Sequence, residues 1–464
     1  MRIFPRPTTS RIWRCQVALS SSTPTGARRC APKPRTLARD LTSDSTGPAT
    51  IEGWLTTRRD LGAVSFFAIR DRSGEAQVVV EDERLREILA GLQVQSVLSV
   101  HGDVVAEPRA RSGVEIHARE IDVLSAVTEP PPFEINRPVL KPALDVWLER
   151  APIALRHESK RAALALTASL VAAYRAALDR RGFVEIFTPK IVGAATEGGA
   201  NLFPVEYFGR PAFLAQSPQM YKQIMVGVHE RVFEVAPVFR AEPHATTRHL
   251  NEYISLDLEL GFIQDHRDVM ALVNELLDEM IAEIAITSER DLASLGVTLP
   301  AVPDIPVVTF QEAQQVILDE YGEDARHEPD LSPQHERWLG EWAARKHGSE
   351  WLFVEGYPTS KRPFYTMPDP AEPEVSSSFD LLFRGLELIT GGQREHRYDH
   401  LIAALAARGM DPTPFAGYLD AFRFGMPPEG GCAIGLERFV AQLVGASNVR
   451  EVTAFPRDIN RLAP

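Results

Sequence analysis

Cysteine is nearly absent. The 464 residues hold three, Cys15, Cys30 and Cys432, with no CxxC pair. That excludes a disulfide-stapled fold and a cysteine zinc site, and it describes a reducing compartment. No apolar run is long enough to span a bilayer, so no membrane role is expected. The usual phosphate loops are missing as well. Neither G-x-x-x-x-G-K-[ST] nor G-x-G-x-x-G occurs, so arginines and metal must hold any phosphate. Positive charge is scarce overall: the net formal charge is −13, which argues against indiscriminate nucleic-acid binding and leaves RNA contacts to local patches. Acid, in turn, is missing from residues 1–39, which carry nine Arg or Lys. The remainder holds 41 basic against 63 acidic side chains.

A chain of this length is expected to form two domains, each able to bury a core. Residues 1–34, rich in Arg, Ser, Thr and Pro, form an extension expected to be disordered. The same composition resembles an organellar transit peptide, the lesser alternative to a cytoplasmic protein with an over-long leader. Residues 35–125 are strand-dominated. Runs at 51–55, 64–70, 76–80, 96–105 and 114–124 are interrupted after the third by a helical patch at 82–92. That is the order of an OB-fold β-barrel, which commonly binds single-stranded nucleic acid on one face. Phe66 and Gln77 fall near that face, able to stack on a base and to hydrogen-bond its edge. In an isolated barrel Phe66 is more often core than a stacking platform. With nine basic and thirteen acidic side chains at 49–124, charge lends the barrel no separate support for RNA binding.

Residues 126–158 form a linker or hinge, stiffened by Thr-Glu-Pro-Pro-Pro-Phe at 128–133. The second domain, 159–464, opens with a helix to Arg181 whose apolar face is expected at Leu164, Ala168, Val171, Tyr174 and Leu178. Gly182 ends it. A strand from Phe183 to Thr188 then stops at Pro189, which suits a sheet edge. Residues 265–290 show amphipathic helical periodicity, and 300–350 are mixed. Runs at 351–355, 364–367 and 378–390 have the composition of buried strands. Strands without regular βα alternation predict an antiparallel sheet flanked by helices, hence a multidomain α+β protein.

The centre of this domain is the stretch from Pro237 to Glu252. An apolar strand delivers Arg240 and Glu242 to a loop carrying His244, Arg248 and His249. Residues 253–260 then alternate with period two, as expected of a strand with one solvated face. Two arginines and two histidines beside carboxylates suit a polyphosphate held next to a base or amine. Far downstream, Gly430-Gly-Cys-Ala-Ile-Gly-Leu-Glu-Arg438 runs from a Gly-rich strand end into a helix.

With Gly182-Phe-Val-Glu-Ile-Phe-Thr-Pro189, these segments resemble the three signature motifs of class II aminoacyl-tRNA synthetases. Thr196-Glu-Gly-Gly, Ala215-Gln-Ser-Pro-Gln-Met-Tyr-Lys222, Phe239-Arg-Ala-Glu and Gly391-Gly-Gln-Arg-Glu-His-Arg397 are similar to the compact archaeal aspartyl branch. The likeness runs from about residue 35 to the end. It implies a class II antiparallel catalytic sheet, an anticodon-binding barrel, a homodimer built on the helix–strand–proline unit, and ATP with Mg²⁺ as reactants. Some 130 residues separate the central hairpin from Glu387, too few for the inserted domain of the long bacterial form.

The resemblance also implies roles. Arg240 would meet the α-phosphate and the attacking carboxylate, and Arg438 the γ-phosphate. Glu242, Arg248, His249, Leu250, Glu387 and Gly435 would frame the rest of ATP. Asp380, Glu387 and Thr390 would hold Mg²⁺, since hard cations want oxygen ligands. Ion pairing of Asp380 and Glu387 with Arg384 or Arg394 is the competing reading. L-aspartate would take its side-chain carboxylate to Lys222 and Arg394 and its ammonium to Glu197, with Gln219 and Thr390 adding hydrogen bonds. Two cations on one carboxylate penalise the neutral amide. Thr56 stands where members restricted to tRNA(Asp) often have Trp, and leans toward charging tRNA(Asn) as well. Thr390 replaces a Ser, Glu429 and Cys432 a His and a Phe, and Ala433 a Gly; no charged catalytic group is lost. The alternatives are an asparaginyl enzyme, opposed by Lys222; a catalytically dead RNA-binding paralogue, opposed by the two ATP arginines; and a tRNA-independent asparagine synthetase, which needs no barrel.

Overall fold

The computed structural model describes residues 35–110, 112–193 and 201–463, and the chain divides into two compact units, Met1–Pro130 and Pro131–Pro464. The extension 1–34 lies outside the described residues.

In the first unit, β1 (Gly47–Leu61), β2 (Val64–Arg70), β3 (Glu75–Val80), β4 (Val97–Ala106) and β5 (Val114–Ser125) close into a barrel of order β1-β2-β3-β5-β4. Period-two alternation sends Phe67, Ile69, Val78 and Val80 into its core with Ile51 and Leu98, and turns Phe66 and Gln77 outward. The helix after β3 covers Glu83–Ala90, with the Asp82 side chain accepting from the Leu85 N–H as its cap.

The second unit holds β6 (Val184–Glu185), β7 (Ile191–Val192), β8 (Pro204–Tyr207), β9 (Arg210–Leu214), β10 (Arg231–Phe239), β11 (Glu252–Gly261), β12 (Val307–Thr309), β13 (Trp351–Glu355), β14 (Ser378–Phe383), β15 (Leu386–Arg394) and β16 (Glu429–Gly435). Eight of these form one sheet, β12-β13-β14-β15-β16-β11-β10-β6, while β7, β9 and β8 form a small sheet of their own. From β13 to β10 every pairing is antiparallel. Both outer pairs are parallel, so the expected antiparallel sheet is a mixed one with an antiparallel centre. The strand expected at 183–188 pairs only at Val184 and Glu185, and 364–367 is a buried irregular segment.

The long helices Glu158–Arg180 and His266–Thr287 bury their apolar stripes in one core with the sheet. The first stripe is Ala163, Leu166, Leu170, Tyr174 and Leu178. Leu164 and Val171 are only partly buried and Ala168 is exposed, because alanines at 162, 163, 173 and 177 share the inner face and leave room for close approach. The expectation that no run could span a bilayer needs correction too: Glu158–Arg180 is long and apolar enough to do so by length and composition. Its apolar side is occupied by the protein core. Strand β11 departs from expectation most. From Ser255 to Gly261 both faces are buried, so its polar residues do not point to solvent.

Candidate active site

The turn from β10 to β11 is fastened before it does any chemistry. The Arg240 N–H donates to the Asn251 carbonyl at 2.9 Å, and the Asn251 amide donates to the carbonyls of Arg240 and Glu242 at 2.7 and 3.1 Å. Further along, Arg450 donates to the Thr246 carbonyl at 2.8 Å and pairs with Asp458 at 2.6 Å. The C-terminal segment thereby straps the loop in place.

Between this loop, β15 and the start of the Leu436–Val444 helix lies a cavity of about 210 Å³. Arg240, Glu242, Arg248, His249, Leu250, Glu387, Thr390, Gly435 and Arg438 all line it. Two guanidinium groups nearly 200 residues apart in the chain therefore face one space. Arg438 is steered mainly by backbone: it donates to the carbonyls of Arg248 at 3.2 Å and Glu387 at 3.1 Å, with the Glu387 carboxylate 4.0 Å away. Arg240 lies over the Tyr253 ring at 5.9 Å. His249 takes part in a bond with Thr246 at 2.6 Å and lies 3.5 Å from Glu242. Burial and the nearby arginines hold its pKa below the usual imidazole value, which favours the neutral ring.

Several lining or supporting residues had no advance signal. Glu336 comes from a helix, Pro333–His347, in the stretch whose sequence was uninformative. Both its oxygens accept from Arg248 at 2.9 Å, and one also accepts the Glu387 N–H at 2.8 Å. One buried carboxylate thus ties the loop to β15. Glu437 also lines the cavity, accepts from the Ile254 N–H at 3.1 Å, and is pushed by burial up to about 7.

The three oxygen donors expected for a metal are adjacent. The Thr390 hydroxyl donates to Glu387 at 2.8 Å, and Thr390 is the ladder partner of Asp380. Asp380 pairs with Arg362 at 2.9 Å, while its other oxygen is buried without a hydrogen-bond partner. Neither expected competitor is there: Arg384 pairs with Glu350 and Arg394 with Glu259. Two carboxylates and a hydroxyl, one oxygen unsatisfied, fit a hard divalent cation.

Beyond the cavity, β11, β15, β16 and the Gln219–His229 helix enclose a buried cluster of charged side chains. Lys222 is 1% exposed. Its ammonium lies 3.0 Å from Asp257 and 3.1 Å from Glu259. Arg394 donates to Glu259 at 2.8 Å and to the Gly431 carbonyl at 2.9 Å, and Gln219 bridges toward both partners at 3.4–3.5 Å. Lys222, Arg394 and Gln219 are thus gathered, but around an internal carboxylate. Asp257 and Glu259 were missed because their alternation with leucines resembles a half-solvated strand. A Cβ on Gly431 would lie 2.3 Å from Glu259 and 2.1 Å from the Leu258 carbonyl, so no side chain fits there. Glu197, expected to meet the substrate ammonium, falls outside the described residues.

On the barrel, Phe66 is half-buried on the outer face. Gln77 donates to Glu115 at 2.9 Å, and Glu115 contacts His117 at 3.0 Å. Thr56 sits at a β-bulge between β1 and β2, 5% exposed, its hydroxyl 3.3 Å from the Ala68 carbonyl.

The chain is similar to known proteins along most of its length. The family described as tRNA synthetases class II (D, K and N) matches residues 143–459, and the OB-fold nucleic acid binding domain matches 49–124. An aspartate–tRNA(Asp/Asn) ligase of Thermus thermophilus is 50% identical over 434 residues, covering 93% of this chain and 100% of that one. Its Deinococcus radiodurans counterpart is 46% identical over 440 residues, covering 94% and 100%. Among solved structures, asparaginyl-tRNA synthetase of Pyrococcus horikoshii with asparaginyl-adenylate superposes with a TM-score of 0.87 at 31% identity, covering 93% of this chain and 100% of that one. The chain belongs to the class II aminoacyl-tRNA synthetases, within the aspartate/asparagine ligase family. Enzymes of this class use ATP and Mg²⁺.

Proposed function

We propose that the protein activates L-aspartate with ATP and transfers it to tRNA(Asp) and to tRNA(Asn). The observation that carries this is the convergence of Arg240, Arg438, Glu387 and His249 on one cavity, beside a pocket built on Lys222 and Arg394. In the first step a carboxylate oxygen of aspartate attacks the α-phosphorus. The bond to the bridging oxygen breaks, and pyrophosphate leaves with that electron pair. Both reactants are anionic, so the protein mainly supplies screening and alignment. Arg240 serves the α-phosphate and the attacking carboxylate, and Arg438 the γ-phosphate. Glu242, His249 and the backbone at Leu250 and Gly435 frame the adenosine. Asp380, Glu387 and Thr390 would hold Mg²⁺, which neutralises phosphate charge when bound. In the second step a 3′-terminal ribose hydroxyl of the tRNA attacks the acyl carbon, its proton passes to the phosphate or to water, and the acyl–phosphate bond breaks as AMP leaves with the electron pair.

Lys222, Arg394 and Gln219 form the subsite for the aspartate side chain, with Glu197 assigned to the ammonium. The barrel, 35–125, would take the anticodon through Phe66 and Gln77, joined by the linker 126–158 to the catalytic domain 159–464. Relaxed tRNA choice is supported by Thr56 and by the names of the relatives. The two described above are Asp/Asn ligases, whereas the tRNA(Asp)-only ligase of Pyrococcus horikoshii is 38% identical. A homodimer is supported by Phe187, 83% exposed within the helix–strand–proline unit, an apolar side chain that a second copy would cover. The test is side-by-side charging of both tRNAs. Aspartylation of both is expected, and a product on tRNA(Asp) alone removes the relaxed specificity.

A further inference from the structure

Among the described residues, the charged cluster around Lys222 has no spare positive charge. Lys222 and Arg394 contribute two cations, and Asp257 and Glu259 two anions, all less than 10% exposed. The four sum to zero before any substrate arrives. An incoming side-chain carboxylate makes the enclosure singly negative. A fifth charged side chain also faces it. Glu429, fully buried on β16, is the ladder partner of Arg394. Ionised, it would bring the total to minus two among buried side chains, where uncompensated charge is costly.

Its one hydrogen bond among the described residues, from a neutral amide, is the small opposing effect. Tyr418, from the Ala416–Arg423 helix, donates to the Gln223 side-chain oxygen at 3.2 Å. That fixes the Gln223 amide as the donor to Glu429 Oε1, at 3.1 Å. Oε2 is buried without a partner, so no donor offsets a negative charge on it. The groups facing Glu429 are Glu259 on β11, Arg394 on β15, Lys222 and Gln223 on the Gln219–His229 helix, and Tyr418. Burial and Glu259 push its carboxyl well above the usual range, against the opposing effects of Gln223, Arg394 and Lys222.

We propose that Glu429 is a specificity-determining group: it stays an uncharged carboxylic acid while aspartate is bound, and its ionisation weakens the hold on an acidic substrate but not on a neutral one. The inference rests on the assignment of aspartate made above. It adds that acid-over-amide selection depends on a held proton as well as on two cations. No bond is made or broken. Aspartate binding and proton retention are linked, so each favours the other.

The test uses the intact enzyme and E429Q, whose amide copies the neutral form. KM for aspartate and for ATP is measured by pyrophosphate exchange from about pH 6 to pH 9, and the infrared band of a protonated carboxylic acid is followed in both proteins with aspartate bound. The difference spectrum between the two proteins should show a protonated Glu429. Wherever the free enzyme loses that proton, KM for aspartate should climb about tenfold per pH unit in wild type and stay flat in E429Q, with KM for ATP parallel in the two. An ionised Glu429 beside bound aspartate, or the same climb in both proteins, overturns the proposal. Should E429Q fail to fold, Q223M removes the donor that favours ionisation. Any alkaline climb must then move to higher pH, and movement to lower pH overturns the idea. If neither protein exchanges pyrophosphate with aspartate, the amino-acid assignment itself fails. If both do, only the role of Glu429 is at stake.

Discussion

The nucleotide cavity and the amino-acid pocket lie side by side on one sheet and use arginine in opposite ways. In the cavity, Arg438 is held mainly by two backbone carbonyls, which fix its direction without neutralising it. Its charge remains available to a polyphosphate. In the pocket, Arg394 and Lys222 are each paired with a buried carboxylate, so direction and neutralisation arrive together. The difference separates two tasks. ATP brings a large negative charge and needs unspent cations. Choosing between an acid and its amide needs an enclosure whose balance is disturbed by one charge.

Lys222→Leu breaks the balanced side. It leaves Asp257 and Glu259 without their ammonium, and removing one member of a buried charge set costs about 3–5 kcal/mol. Chemical denaturation should record that loss, together with the disappearance of aspartate-dependent exchange. Arg438→Ala should behave differently. Exchange falls on the order of a thousandfold, yet stability falls by only about 1–2 kcal/mol, since the one carboxylate that this arginine helps to hold ionised, Glu387, lies 4.0 Å away and keeps the Thr390 hydroxyl. Equal destabilisation by the two substitutions would erase the distinction.

Glu437 sharpens the cavity side through pH. Its carboxyl is raised from 4.5 to about 7, so the folded protein binds more protons than the unfolded chain between those values. Stability is therefore greatest below that window and declines as pH rises through it, by about 3 kcal/mol in full. Glu437→Gln should flatten that decline in a series of thermal melts. The smallest effect is expected from Glu336→Gln, which weakens the tie between Arg248 and β15. KM for ATP should rise about thirtyfold, equivalent to about 2 kcal/mol, with KM for aspartate unmoved.

The contrast also explains what could be read in the sequence. The barrel strands and the long helices announced themselves by period, Arg240 and Arg438 by their place in recognisable motifs, and Glu387 and Thr390 only through the family resemblance. Asp257 and Glu259 did not, because a strand that alternates leucine with acid has the same pattern whether its polar side meets water or a buried lysine. Glu336 carried no signal at all: its use depends on a helix arriving at Arg248 from 88 positions away. The alanine-rich stripe of the Glu158–Arg180 helix was misplaced for a related reason, since small residues pack inward without standing out as hydrophobic.

Gly431 sets a limit on redesign. The Glu259 carboxylate and the Leu258 carbonyl already lie where its first carbon would go, so this wall has no room to be thickened, even by a methyl group. Libraries that seek a new amino-acid preference by filling space at this position should return misfolded or silent protein. Variants that exchange acid for amide at the surrounding side chains leave the volume alone, and they are where altered appetites should be sought.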